Sequence, residues 1–297
     1  MACFDVKLDT RFEKISTLHP CFGGKANMTR GRVHLPVSPA CNIQCRFCKR
    51  TFNKSEQRPG VTGELLSPQA AAELVDKALE LCPEITVAGI AGPGDTLATP
   101  HALKTFQYVH ERHPELILCL STNGLLLERY ADALYEAGVR TVTVTVNAVD
   151  PAVLKDICSG IVLDGKKYEG EEAARILIAA QLRGIKKMSD LGAVIKINIV
   201  LIPGINHHHI GEIAETVKEH GASLINIIPL IPQHELSHLP APNCHELMEA
   251  RSAAELYLPV FRHCQHCRAD ACGIPGKQDL ADLLYATRNI PETFSHG

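Results

Sequence analysis

The sequence predicts an α/β fold, a partial barrel of six parallel strands, and three observations lead there. From Arg32 onward, short runs rich in aliphatic and β-branched residues alternate with longer segments of helical period, the order expected of repeated βα units. The motifs rich in cysteine, glycine and asparagine follow directly after strands, where parallel sheets gather their ligands. A length of 297 residues with 45% apolar composition suits one such barrel or two smaller domains.

The strands are expected over Arg32–Ser38, Ile85–Ala91, Leu116–Ser121, Thr141–Asn147, Val194–Ile202 and Leu224–Leu230. Between the first two, Ser67-Pro68 reads as an N-cap followed by proline in the first turn, opening a helix to about Leu81 that Pro83 stops. Gly138 and Gly221 stand where helix C-caps belong, each just ahead of a strand. No repeat, low-complexity tract or linker interrupts the pattern. The expected division is an N-terminal extension over 1–31, the barrel over 32–243, and a C-terminal helical extension over 244–297 that carries a second cysteine cluster.

Composition excludes several classes of partner. A net charge of −3 with no basic stripe gives no reason to expect nucleic acid or an anionic membrane. No apolar stretch approaches the roughly 20 residues that span a bilayer. The opening Met1-Ala2-Cys3-Phe4-Asp5-Val6-Lys7 is charged where a signal peptide needs an apolar core, so a cytoplasmic monomer is expected. Twelve cysteines are then too many for disulfides in that compartment and call for metal or redox chemistry.

The most informative run is Ala40-Cys41-Asn42-Ile43-Gln44-Cys45-Arg46-Phe47-Cys48-Lys49. Thiolates at C-x3-C-x2-C spacing can hold three corners of a [4Fe–4S] cluster and leave the fourth iron open for chemistry. A zinc loop is the plainer reading of any C-x2-C pair, but it wants a fourth ligand close by. The run resembles the signature of the radical S-adenosylmethionine (SAM) superfamily, in which the open iron chelates SAM and the reduced cluster cleaves it to a 5′-deoxyadenosyl radical. The resemblance places Ala91-Gly92-Pro93-Gly94-Asp95-Thr96 at the SAM amino group, with Asp95 where the superfamily commonly has glutamate. Gly92 and Gly94 are expected to permit close backbone approach to the cofactor. Phe47 would lie against adenine, and Asn123, Asn147 and Asn198 would meet the ribose or carboxylate; taken singly, each asparagine is as well explained by a turn or strand end.

Nine cysteines remain. Cys264, Cys267 and Cys272 form a C-x2-C with a third cysteine five positions on, a spacing that admits a second [4Fe–4S] cluster or a zinc site completed by His263 or His266. Cys21 lies in a Pro/Gly-flanked loop, while His34 and Cys119 lie within strands, where small buried core residues are the plain reading. Taken together, His19-Pro20-Cys21-Phe22, Arg32 to Val37, Cys41 to Cys48, Ala91 to Asp95, Ser121-Thr122-Asn123-Gly124 and Cys264 to Cys272 resemble the NifB family of radical-SAM enzymes over residues 18–275. Many bacterial members carry a further cofactor-carrier domain, which this sequence does not show.

The resemblance implies a substrate made of metal. Such enzymes bind three [4Fe–4S] clusters, one cleaving SAM and two serving as substrate. They fuse the latter into an [8Fe–9S–C] precursor of the nitrogenase cofactor, with one SAM giving a methyl group and a second giving the radical. On that reading Cys41, Cys45 and Cys48 hold the SAM cluster, and Cys264, Cys267 and Cys272 hold one substrate cluster. Cys21 and Cys119 hold the other with a nitrogen ligand, His34 in preference to His19. The implied partners are an iron–sulfur cluster donor, an electron donor and a cofactor carrier or scaffold protein. Glu64 is a candidate proton acceptor or transient cluster ligand, against the plain reading of a solvated loop carboxylate. His207, His208 and His209 are read as a solvated helix start, and Cys3, Cys82, Cys158 and Cys244 as thiols without partners. The competing readings are a radical-SAM enzyme with one auxiliary cluster and an organic or peptide substrate, and a non-catalytic iron–sulfur scaffold.

Overall fold

The computed structural model describes residues 10–49, 52, 53, 56–285, 295 and 296. Two short helices come first, α1 (Thr10–Leu18) and α2 (Gly24–Asn27), then β1 (Gly31–His34), β2 (Ala40–Cys41) and β3 (Ile43–Cys45). The βα alternation follows: α3 (Pro68–Leu81), β4 (Ile85–Ile90), α4 (His101–Arg112), β5 (Ile117–Thr122), α5 (Leu127–Glu136), β6 (Val139–Thr145) and α6 (Pro151–Leu154). A hairpin, β7 (Cys158–Leu163) and β8 (Lys166–Glu169), precedes the long α7 (Gly170–Asp190). The remainder is β9 (Val194–Leu201), α8 (Ile210–Glu219), β10 (Leu224–Pro229), α9 (Cys244–Glu255), β11 (Cys272–Gly273), α10 (Ala281–Leu284) and β12 (Ser295–His296).

The expected fold is present. The main sheet runs β10-β9-β6-β5-β4-β1-β11, six parallel strands with helices packed on one face, curled as a partial barrel. Helix α3 opens as expected, with the Ser67 hydroxyl accepting from the Ala70 N–H. Gly138 and Gly221 take φ of +88° and +97° at helix ends. Among the described residues no helix is long and apolar enough to cross a membrane.

Each strand sorts its residues by face, with period two. Val33, Ala88, Leu118, Leu120, Val142, Val144, Ile197 and Ile199 enter the apolar layer under the helices. The alternate positions are polar: Arg32 and His34 on β1, Cys119 and Ser121 on β5, Lys196 and Asn198 on β9, Asn226 on β10, all lining an internal space. The lower end of that space is closed by apolar contacts among Phe12, Phe22 and Phe261, with Val194 and Leu224 from the first residues of their strands. Helix α1 and the segment after α9 therefore seal the end of the barrel opposite the cysteine loop.

Two features were not expected. β7 and β8 form an antiparallel sheet with β3 in the order β3-β7-β8, so the cysteine loop is pinned to a hairpin. Its turn, Asp164-Gly165, has φ of +52° and +77°, the mirror-image turn that suits strand twist; the Asp-Gly pair was the available signal. The second is that β11 adds to the barrel sheet, pairing antiparallel with β1. The chain just before it is fixed by a buried ion pair: Arg268 donates to both carboxylate oxygens of Asp270 at 2.8 and 3.0 Å and to the Glu56 and Asn53 carbonyls, while Asp270 accepts from the Gly63 N–H at 2.7 Å.

Asp270 is fully buried and Arg268 nearly so. Asp270→Ala is therefore expected to lower unfolding free energy by about 3–5 kcal/mol, because it strands a guanidinium in the interior. Urea denaturation of the cluster-free protein measures it, and a loss below about 1 kcal/mol would show the pair to be dispensable.

Candidate functional site

At the C-terminal ends of the strands, one cavity is lined by Cys45, Phe47, Cys48, Asp95, Asn123 and Asn147, with Asn198 deeper. Cys41 is buried beside it, 4.0 Å from the Asn123 amide nitrogen. The Cys45 thiol is held well above its ordinary range by a hydrogen bond with Cys158, by burial, and by the neighbouring Cys158, Cys48 and Cys41. Three mutually close thiols on one loop fit a cluster of iron and sulfide. Among the described residues no three His, Cys, Asp or Glu side chains converge on a single point at metal-ligand distance.

The rim residues are locked before any ligand arrives. The Asp95 carboxylate accepts from the Asn123 N–H at 2.6 Å, the Leu97 N–H at 2.9 Å and the Thr122 hydroxyl. It ties the loop after β4 to the end of β5. The Asn123 side chain donates to the Asn42 side-chain amide oxygen at 2.7 Å and accepts from the Leu125 N–H, linking that end to the cysteine loop. Asn147 accepts from the Val200 N–H at 2.9 Å, and Asn198 accepts from the Asn226 amide at 3.0 Å.

A second cavity lies below the first, toward the N-terminal ends of the strands, and both are bordered by Pro59, Ala91, Ser121, Asn198 and Ile228. Cys21, Cys119, His34, His19, Cys264 and Cys267 all reach it. Burial pushes the Cys21 thiol up to about 12, against the pull of Lys196 and Arg32, and burial raises Cys119 as well. The two histidines differ in tautomer. His34 Nδ1 is 2.9 Å from the Arg268 carbonyl, which can only accept, so Nδ1 carries the proton and Nε2 keeps its lone pair. His19 Nδ1 instead accepts from the Cys21 N–H at 3.0 Å, which leaves the proton on Nε2, buried and unpartnered. Gly89 makes room for the His34 ring: a Cβ there would sit 3.2 Å from its Cδ2.

Several expected residues are not where they were expected. Cys272 faces the opposite side of β11 from Cys264 and Cys267, among the apolar residues under the helices, where burial pushes its thiol up to about 12. Its register partner is Val33, an outward residue, so strand alternation turns it away from the cavity. Glu64 and Gly92 border neither cavity, and Thr96 is fully buried with its hydroxyl on the Ser121 carbonyl. Gly94 does border the upper cavity and also serves a second close approach: a Cβ there would lie 2.0 Å from the Ala40 carbonyl oxygen, so the glycine lets the loop pair with β2. His209 is buried at the N-cap of α8, accepting from the Val149 N–H, while His207 and His208 are exposed. Cys3 lies outside the described residues.

Cys158 has a partner after all. It stands opposite Cys45 across the β3–β7 pairing, lines the upper cavity and is buried. Sequence spacing could not find it, since Cys158 lies far along the chain from Cys45 and meets it only through the β3–β7 pairing. Arg32 and Lys196 were also missed. Arg32 donates to the Cys267 sulfur at 3.1 Å, and Lys196 sits inside the lower cavity. Their signal was a charged residue at an inward position of an otherwise apolar strand.

Folding holds His34 neutral, pushed down to about 4 by burial and by Arg32, and moves His19 the same way. The unfolded chain takes up these protons near 6.5, so this contribution is intact above that pH and is lost as pH falls toward 4. The cluster-free protein is expected to lose denaturant resistance across that window, and His34→Gln to flatten the slope; an unchanged slope would place the acid sensitivity elsewhere.

Comparison with known proteins agrees with this geometry. Residues 35–217 match the Radical SAM superfamily. Among curated relatives, the "FeMo cofactor biosynthesis protein NifB" of Methanocaldococcus jannaschii is 46% identical over 282 residues, 94% of this chain and 94% of that protein. The protein of the same name from Klebsiella pneumoniae is 42% identical over 87% of this chain, which spans 57% of that longer relative. Among solved structures, a radical SAM methyltransferase from Sphaerobacter thermophilus superposes with a TM-score of 0.55 at 17% identity, covering 78% of this chain and 65% of that one, a likeness of fold. The chain thus belongs to the NifB family of the radical SAM superfamily.

Proposed function

We propose that the chain is a radical SAM enzyme of nitrogenase cofactor biosynthesis that joins two [4Fe–4S] substrate clusters into an [8Fe–9S–C] precursor. The observation that carries this reading is the lower cavity: thiols and a ligand-ready imidazole line a polar space directly beneath the site expected for SAM. An organic substrate would not need Cys21, Cys119, Cys264 and Cys267 around one space. A scaffold would not need the locked rim of Asp95, Asn123 and Asn147 above it.

In this reading Cys41, Cys45 and Cys48 hold the cluster that cleaves SAM, which supplies a radical when reduced. Phe47 and the rim asparagines bind the rest of SAM, and Asp95 orients them through the Asn123 backbone. Below, Cys21, Cys119 and His34 Nε2 hold one substrate cluster, with Cys264 and Cys267 on the other. Ligation that is incomplete in thiolate suits clusters that must leave as product. One SAM methylates a cluster sulfide and leaves as S-adenosylhomocysteine. The radical from a second would take one hydrogen atom from that methyl group, becoming 5′-deoxyadenosine; the two remaining hydrogens would leave as protons to give the carbide, and an additional sulfide would complete the core. A cluster donor, a reductant and a separate carrier protein are the partners this chemistry requires.

Anaerobic reconstitution with iron and sulfide is expected to give about twelve irons per chain, against about eight for a single auxiliary cluster. Addition of SAM and dithionite should then give both 5′-deoxyadenosine and S-adenosylhomocysteine, and the product should activate cofactor-deficient nitrogenase. 5′-Deoxyadenosine without S-adenosylhomocysteine would refute the two-SAM route. A histidine-nitrogen coupling in the electron-spin spectrum should vanish in His34→Ala and persist in His19→Ala; the reverse result would assign the ligand to His19.

A further inference from the structure

Lys196 occupies an inward position in the middle of β9 and is 6% exposed. Its Nζ donates to the Cys21 carbonyl at 3.3 Å, and it stands 5.0 Å from the centre of the Phe22 ring and 5.8 Å from that of Phe261. A carbonyl and two aromatic faces solvate an ammonium only partly, and a buried cation is expensive without an anion. None is supplied, because no aspartate or glutamate borders the lower cavity among the described residues.

A second buried cation faces the same space. Arg32 donates to the Gly273 carbonyl and to the Cys267 sulfur, its Nε is unpartnered, and Asp279 is the one carboxylate that acts on it, at longer range. The nearest buried carboxylates are committed elsewhere, Asp270 to Arg268 and Asp95 to Leu97, Thr122 and Asn123. The cavity is therefore a thiol-bearing space with positive charge on two walls and no carboxylate among its described lining residues. Its occupant has to bring negative charge.

We infer that Lys196 is a binding residue for a metal-sulfide anion, holding the substrate at Cys21 and Cys119 by charge as well as by ligation. This rests on the proposed function and deepens it. Thiolates grip a cluster only while they are bonded to iron, and they must let go for two clusters to merge and leave. A fixed cation retains an anionic iron–sulfur species through that interval without forming a bond. Lys196 suits this task because its ammonium is a compact charge on a flexible stem. Its cost falls on the cluster-free protein, as is common where a site is kept for function.

The test uses the full chain, with tetrathiomolybdate as a soluble dianionic metal sulfide. The cluster-free wild type is expected to bind it, Lys196→Met and Lys196→Gln to bind it at least tenfold more weakly, and Lys196→Arg to stay within about threefold of wild type. The two neutral variants should melt no lower than wild type when cluster-free, since they remove a buried charge. In reconstituted protein they should release iron from the lower cavity to a chelator at least tenfold faster, while the SAM-perturbed signal of the Cys41–Cys48 cluster is unchanged. Equal thiomolybdate affinity across all four proteins, or a neutral variant that melts lower and keeps its iron, would overturn the inference. Failure of the proposed function would look different: wild type would take up no more than about eight irons while thiomolybdate binding still depended on Lys196.

Discussion

The structure depends on an uncommon use of a parallel sheet. Such sheets are usually apolar on both faces because helices cover both. Here helices cover one face, and the other turns arginine, histidine, cysteine, lysine and asparagine toward an interior closed by Phe12, Phe22 and Phe261. Polar groups enclosed in this way are stable only if they are bonded to one another or to something held between them. Much of the upper half meets the first condition, through Asp95, Asn123, Asn147 and Asn198. The lower half leaves His19 Nε2, Arg32 Nε and the Asn226 side-chain amide oxygen unpartnered beside the buried Lys196 and Arg32, while in the upper half Asn42 Nδ2 and Gln181 Oε1 are unpartnered.

That contrast divides the interior into two jobs. The rim is a preorganised cradle whose side chains are already oriented, the arrangement expected for a cofactor that is bound in one pose. The lower cavity gathers donors, thiols and cations, which the proposed function assigns to a substrate that changes as it reacts. The two cavities adjoin, with Ser121 and Asn198 bordering both. The C-terminal segment completes the wall: the Arg268–Asp270 pair fixes it, the Arg268 carbonyl sets the His34 tautomer, and Arg32 meets Cys267.

Much of the fold was legible because its signals are local. Strand runs, the Ser67-Pro68 helix start and the glycine caps each depend on a few neighbouring residues. The hairpin β7–β8 was missed although Asp164-Gly165 marked its turn, since its strands are short and partly exposed. Cys272 was grouped with Cys264 and Cys267 by spacing and by the family resemblance. Spacing fixes how far apart residues are along the chain, and in a strand it does not fix which face they share once the strand begins partway through the run.

The sequence by itself determined the family, the barrel and the loop that carries Cys41, Cys45 and Cys48, because such motifs are contiguous and their chemistry follows from ligand type and separation. Tertiary structure alone decided which distant side chains meet. It set Cys158 against Cys45, turned Cys272 outward, gave His34 the tautomer with a free Nε2, and left Lys196 without a carboxylate. The physical reason is that burial, tautomer and charge balance belong to a space enclosed by many segments, and no single stretch of chain encodes them.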